Sequence, residues 1–156
     1  MKDLCLCIST IGVLEISSQE WVDFVQIMSE QALQNQSVFF KYAGIYNLGL
    51  IQESLSWKNF NQNDNGLIWN TMINNIIPDD IELTKIVAKS IAQLAPSSQS
   101  HFEIEDCRDK IMKCVLDLLK INDDDIIHSA LEALVEIIRV NFFHMPQYLN
   151  SFLEVT

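Results

Sequence analysis

The chain predicts an all-α protein in which helix packs on helix through short connections. Three observations carry that expectation. Four glycines and three prolines in 156 residues are too few for the tight turns of a β-sandwich. Apolar residues recur at helical spacing, and no segment shows sustained alternation bounded by turn signals. Hydrophobic residues make up 49% of the chain, enough for a core and too many for wholesale disorder.

The first helix is read over about residues 2–16. Its apolar run Leu4–Leu14 imitates part of a signal peptide, but Asp3 stands where positive charge is needed and no A-x-A cleavage pattern follows. Ser17-x-x-Glu20 reads as a capping box opening a second helix. There Trp21, Phe24, Val25, Met28 and Ala32 form one amphipathic stripe. Polar Gln34–Ser37 breaks it. The third helix, about Val38–Trp57, carries Gly44, Leu48, Ile51 and Leu55 on one face. The Asn-, Gln- and Asp-rich stretch Asn59–Gly66 reads as a loop. The fourth helix, about Leu67–Ile77, stops before Pro78, which suits the first turn of the fifth helix because its missing N–H costs nothing there.

The fifth helix packs through Thr84, Val87, Ala88, Ile91 and Leu94 and stops before Pro96. After the loop Ser97–Ser100, Ser100-x-x-Glu103 reads as a second capping box. The sixth helix, about Phe102–Ile121, packs through Ile104, Ile111, Val115 and Leu118. Asp123–Asp125 stand where the helix dipole favours acids, opening a seventh helix over about Asp124–Phe143 that packs through Ile127, Ala130, Leu131, Leu134 and Ile138. Pro146 is expected to open a last short helix ending at Phe152 or Leu153.

These seven to eight helices alternate with a regular step. Odd-numbered helices start near residues 2, 38, 79 and 124, even-numbered ones near 18, 67, 102 and 146. Steps of this size fit two-helix HEAT or armadillo repeats of about 40–47 residues. Small residues Ala43-Gly44, Ala88 and Ala130 recur on the second helix of each pair. The expectation is a HEAT/armadillo-like α-α superhelix; a compact bundle is the alternative. The divisions are a helix at 2–16, repeats at about 17–57, 64–95 and 98–143, and the start of a further repeat at 145–156.

Charge narrows the partners. Twenty-one acidic against ten basic residues give a net charge of −11, which argues against nucleic acid as the main partner. No run of about 18 uncharged apolar residues predicts membrane insertion. The cysteines Cys5, Cys7, Cys107 and Cys114 and the histidines His101, His128 and His144 lack metal-ligand spacing. Reduced thiols packed as small hydrophobes in an intracellular protein are the expectation. No phosphate loop, zinc-protease motif, nucleophile elbow or dinucleotide fingerprint is present. Asp123–Asp125 lack the glycine and distal glutamate of a calcium loop. No residue stands out as catalytic, and no cofactor is expected; an enzyme would need a nucleophile–base constellation the chain does not show.

Cys7…Ile11…Glu15-Ile16…Gln19-Glu20-Trp21 is similar to a pattern at the start of the importin-beta (karyopherin beta) family, with one extra residue before the tryptophan and Val22 where the family has proline. Leu48-Gly49-Leu50-Ile51, then Arg108…Ile111-Met112…Val115, then Ala130-Leu131…Leu134-Val135…Ile137…Phe142-Phe143…Met145…Tyr148 continue the match in order. The chain thus resembles the N-terminal HEAT-repeat segment of that family over nearly its whole length.

The resemblance implies a non-enzymatic nuclear transport receptor in nucleocytoplasmic protein import, found in cytoplasm, nucleus and nuclear pore. Its second helices would meet Ran-GTP, and importin-alpha or cargo would bind mainly through repeats absent here. Grooves between first helices would accept Phe-Gly side chains of nucleoporins. The matching pocket positions are Ile68, Trp69 and Met72 on the fourth helix and Cys107, Lys110 and Ile111 on the sixth. Cys107 replaces a family acid and Lys110 a family aromatic. The same side chains would equally serve to cement two stacked repeats. A scaffold of HEAT or armadillo repeats without a transport role is the other reading. Either way the apolar first helix forms an end face, and end-to-end self-association is expected.

Overall fold

The computed structural model describes residues 2–18, 20–34 and 37–148. Eight α-helices follow one another: α1 (Lys2–Ser18), α2 (Phe24–Gln34), α3 (Val38–Ser54), α4 (Gln62–Ile73), α5 (Ile81–Leu94), α6 (Gln99–Phe102), α7 (Glu105–Leu118) and α8 (Asp124–Val140). Short 3-10 segments at Trp57–Asn59, Ala95–Ser97 and Phe142–Tyr148 connect or extend them. Among the described residues there is no strand, so the fold is all-α.

The helices lie in two rows. α1, α3, α5 and α8 pack side by side in that order. α2, α4 and α7 form the other row, and each packs on the helix of the first row that follows it in the chain. This is a helical-repeat-like arrangement, in which α1 packs on α3 among the described residues. One continuous core runs between the rows, through Phe24 and Met28 of α2, Leu48 and Ile51 of α3, Trp69 and Met72 of α4, Val87 and Ile91 of α5, Val115 of α7 and Ala130 of α8. Each large side chain buried there contributes about 1.5–3 kcal/mol.

Small residues set the spacing between helices. A Cβ on Gly44 would lie 2.5 Å from the Met28 carbonyl oxygen and 2.9 Å from the Ala32 nitrogen, so α3 meets the backbone of α2 there. A Cβ on Gly49 would lie 2.5 Å from Cγ2 of Ile86, at the α3–α5 contact. Ala88 and Ala130 are fully buried.

Neither capping box forms. Ser17 stays inside α1, where its hydroxyl donates to the Val13 carbonyl at 2.7 Å. The Glu20 N–H donates to Glu15 O at 2.9 Å, and α2 begins only at Phe24. Ser100 lies within the four-residue helix α6. Its hydroxyl faces Nδ1 of His101 at 3.4 Å, while α7 starts after extended Ile104 with no side-chain cap. The sixth helix is therefore broken and shorter than expected.

The stretch read as a loop at Asn59–Gly66 mostly starts α4. Asn61 Oδ1 accepts the Asp64 N–H at 2.9 Å and satisfies a free donor of the first turn. α4 also ends earlier, at Ile73. Pro78 sits in the connecting turn, where Asp80 N–H donates to Ile77 O at 2.8 Å; its fixed φ suits the second turn position. Asp80 rather than Pro78 opens α5, accepting the Leu83 N–H at 3.1 Å. Asp123 caps α8 through the N–H groups of Asp125 and Ile126 at 3.1 and 3.2 Å.

α8 ends at Val140, before the expected Phe143. Buried Asn141 fixes that break, donating to Ser98 Oγ at 2.7 Å and to Ile137 O at 3.1 Å. Pro146 lies inside the 3-10 segment rather than opening a helix. The expected end at Phe152 or Leu153 lies outside the described residues.

Candidate functional site

The four pocket residues inferred from the family resemblance all lie in the core. Ile68 and Met72 are 0% exposed, Ile111 1% and Trp69 2%. The spacing of Ile68, Trp69 and Met72 places them on the core-facing side of α4, and Ile111 is buried on α7. The Trp69 indole N–H donates to Ser97 Oγ at 3.3 Å, tying α4 to the turn after α5. All four side chains are buried in the core cluster between the helices. Cys107 is partly buried and Lys110 exposed.

A solvent-open groove does run between α4 and α7, closer to the C-terminal end of α4. It measures about 480 Å³. Ile73, Ile76 and Pro78 form its apolar wall, and Lys110, Lys113, Cys114 and Asp117 its opposite side. Lys110 is the one residue shared with the inferred pocket. Burial, and then the nearby Asp117 charge, push the Cys114 thiol up to about 12, so it stays protonated and acts as a small apolar contact. The Lys120 hydrogen bond holds Asp117 below the usual carboxylate range. Its carboxylate lies 2.9 Å from Lys120 Nζ and 3.6 Å from Lys113 Nζ, offsetting charge at the rim. The sequence signal for this groove is the pair Ile73 and Ile76 beside a proline, outside the inward stripe of α4.

A second groove, of about 510 Å³, lies between α5 and α8 on the other row. Ala92, Leu131 and Val135 give it an apolar surface, with Lys89, His128, Glu132 and Glu136 around them. Each of these ionisable groups has a neighbouring partner, and His128 forms an ion pair only when protonated. Lys89 lies 2.7 Å from Glu53, His128 3.3 Å from Glu132 and Glu136 2.7 Å from Arg139. Leu131, expected as a packing residue, is 48% exposed, and Val135 is 62% exposed. They stand on the far side of α8 from Ala130 and Ala133.

The described residues contain no cluster of His, Cys, Asp and Glu able to hold a metal ion. No described helix is long and apolar enough to cross a membrane. What the grooves offer chemically is side-chain docking: apolar walls, a rim of paired charges and no poised nucleophile. No protein-family model matches the chain, and no curated protein matches it.

Proposed function

We propose that the chain is a non-catalytic protein-docking segment of a nuclear transport receptor, similar to the N-terminal HEAT repeats of importin-beta. The α4–α7 groove would receive the phenylalanine of nucleoporin Phe-Gly repeats. The observation that carries this reading is an open apolar groove between neighbouring helices of one row, walled by Ile73, Ile76 and Pro78. It replaces Ile68, Trp69, Met72 and Ile111 as the contact surface. A disordered Phe-Gly partner loses entropy at each contact, so each is weak. Several such contacts in a longer repeat array give avidity with fast exchange.

The row α3, α5, α8 is the face proposed for Ran-GTP, with importin-alpha or cargo engaging repeats beyond this chain. The working location on this reading is cytoplasm, nucleus and nuclear pore. A scaffold without a transport role is the second reading, and the exposed Leu131 and Val135 in the α5–α8 groove favour it. Fluorescence anisotropy separates the two. A labelled Phe-Gly peptide should bind weakly and saturably, a Ser-Gly peptide should not, and Ile76→Asp should abolish binding. Equal retention of both peptides, or none of either, contradicts the transport reading.

A further inference from the structure

A cavity of about 310 Å³ lies where the end of α1, the turn before α2 and the start of α4 meet. Ile16, Val25 and Phe60 give it apolar walls, and Trp21 and Asp64 join them in the lining. Trp21 meets Phe24 edge to face, with ring centroids 4.7 Å apart, which fixes the indole. Asp64 is the only charged side chain among the described residues that line the cavity.

The Asn61 side-chain amide donates to Asp64 Oδ2 at 2.7 Å, the return half of the α4 cap. That bond explains an acid in the first turn of α4, but it occupies one carboxylate oxygen and supplies no positive charge. Burial pushes the Asp64 carboxyl up, offset in part by a hydrogen bond from Asn61 and by no neighbouring cation. The surroundings carry the same sign. Between Lys2 and Lys41 the chain has Asp3, Glu15, Glu20, Asp23 and Glu30 and no Lys, Arg or His. Lys58, close in sequence to this wall, lies over the Trp57 ring, 5.7 Å from its centroid.

The missing partner is therefore a cation. A calcium ion takes about 6–8 oxygen ligands, and a cavity walled by Ile16, Val25, Phe60 and an indole does not supply them. An ammonium is strongly hydrated and suits such walls poorly. A guanidinium is weakly hydrated on its faces, stacks on aromatic rings and donates along its edge to a carboxylate. We propose that this cavity binds one arginine side chain of a partner polypeptide, whose guanidinium donates to Asp64 and lies against Trp21. The site is separate from the α4–α7 groove and stands whether or not that groove accepts phenylalanine.

Titration of the ¹⁵N-labelled chain with acetyl-Gly-Arg-Gly-amide at constant ionic strength tests this. The Trp21 indole N–H and the Asn61 and Asp64 amides should shift saturably. The same peptide with citrulline, equal in shape but uncharged, should leave them in place, and the lysine peptide should bind more weakly. Asp64→Asn retains an acceptor for the Asn61 amide and should keep the helical spectrum while weakening binding at least about tenfold. Trp21→Leu should weaken it as well. No saturable shift at Trp21, Asn61 and Asp64 in the parent chain overturns the inference. So does equal binding of the citrulline or lysine peptide, or binding that Asp64→Asn leaves unchanged.

Discussion

Lys85 Nζ of α5 lies 3.1 Å from the carboxylate of Asp123, the residue that caps α8. The same ammonium lies 2.9 Å from Asp125. One lysine therefore ties two neighbouring helices of the first row at the point where the second begins. Lys89 and Glu53 make a similar tie between α5 and α3 at 2.7 Å. Such pairs add little individually because they are solvated, but here the acid also satisfies two backbone N–H groups.

Asp123→Ala should therefore lower the melting temperature more than Asp123→Asn. Asparagine still accepts the two N–H bonds, whereas alanine removes cap and ion pair together. Differential scanning calorimetry of the two variants checks this; equal losses would show that the cap contributes nothing.

Acid should act on the same link. Burial opposes ionisation of Asp123, but the Lys85 hydrogen bond and the Ile126 and Asp125 amides outweigh it and hold its pKa low. A depressed carboxylate contributes fully above the unfolded value near pH 4 and loses its contribution as pH falls through its own lower value. Lys85 is raised by Asp125 and then Asp123, so its share persists below the ordinary lysine range and is lost only in strong alkali. Urea melts between pH 2 and pH 6 should show Asp123→Ala converging on the parent at the acid end.

Gly44→Val should destabilise the fold by about 1–3 kcal/mol, because added atoms meet the α2 backbone, which cannot turn aside as a side chain can. Urea denaturation measures it. A neutral result would mean that α2 and α3 have room to separate.

Cys7 and Cys114 should differ sharply toward an alkylating reagent. Cys7 is exposed. Cys114 is buried, and burial followed by the Asp117 charge pushes its thiol up to about 12, which withholds the reactive thiolate. Mass spectrometry of a timed iodoacetamide reaction should show Cys7 modified in the native chain and Cys114 only on unfolding.

The helical class was legible from periodicity and the scarcity of glycine and proline, because a core-facing stripe must repeat at helical spacing whatever its neighbours do. The caps divided. Asp123 announced itself through an acidic run, but Ser17 and Ser100 matched a capping pattern while local backbone bonding kept them inside helices. Asn61 was hidden in a stretch whose composition also suits loops. Depth was the least legible quantity of the candidate site. Ile68, Trp69, Met72 and Ile111 have the composition of a pocket, and so does any core. Which apolar residues stay only partly covered, here Ile73 and Ile76 at the core's edge, depends on how far α7 covers this end of α4, a tertiary fact that no single helix pattern contains.

The core and the groove should separate under substitution. Ile111→Ala should cost about 2–5 kcal/mol by leaving a cavity, whereas Ile76→Asp should keep the helical spectrum while losing the docking surface. Docking at that surface is most directly tested by titrating the ¹⁵N-labelled chain with a Phe-Gly peptide and following amide shifts. Saturable shifts clustered at Ile73, Ile76, Lys110 and Lys113, absent with a Ser-Gly peptide, are the predicted result. No saturable shift, or shifts confined to the α5–α8 groove around Leu131 and Val135, would contradict it.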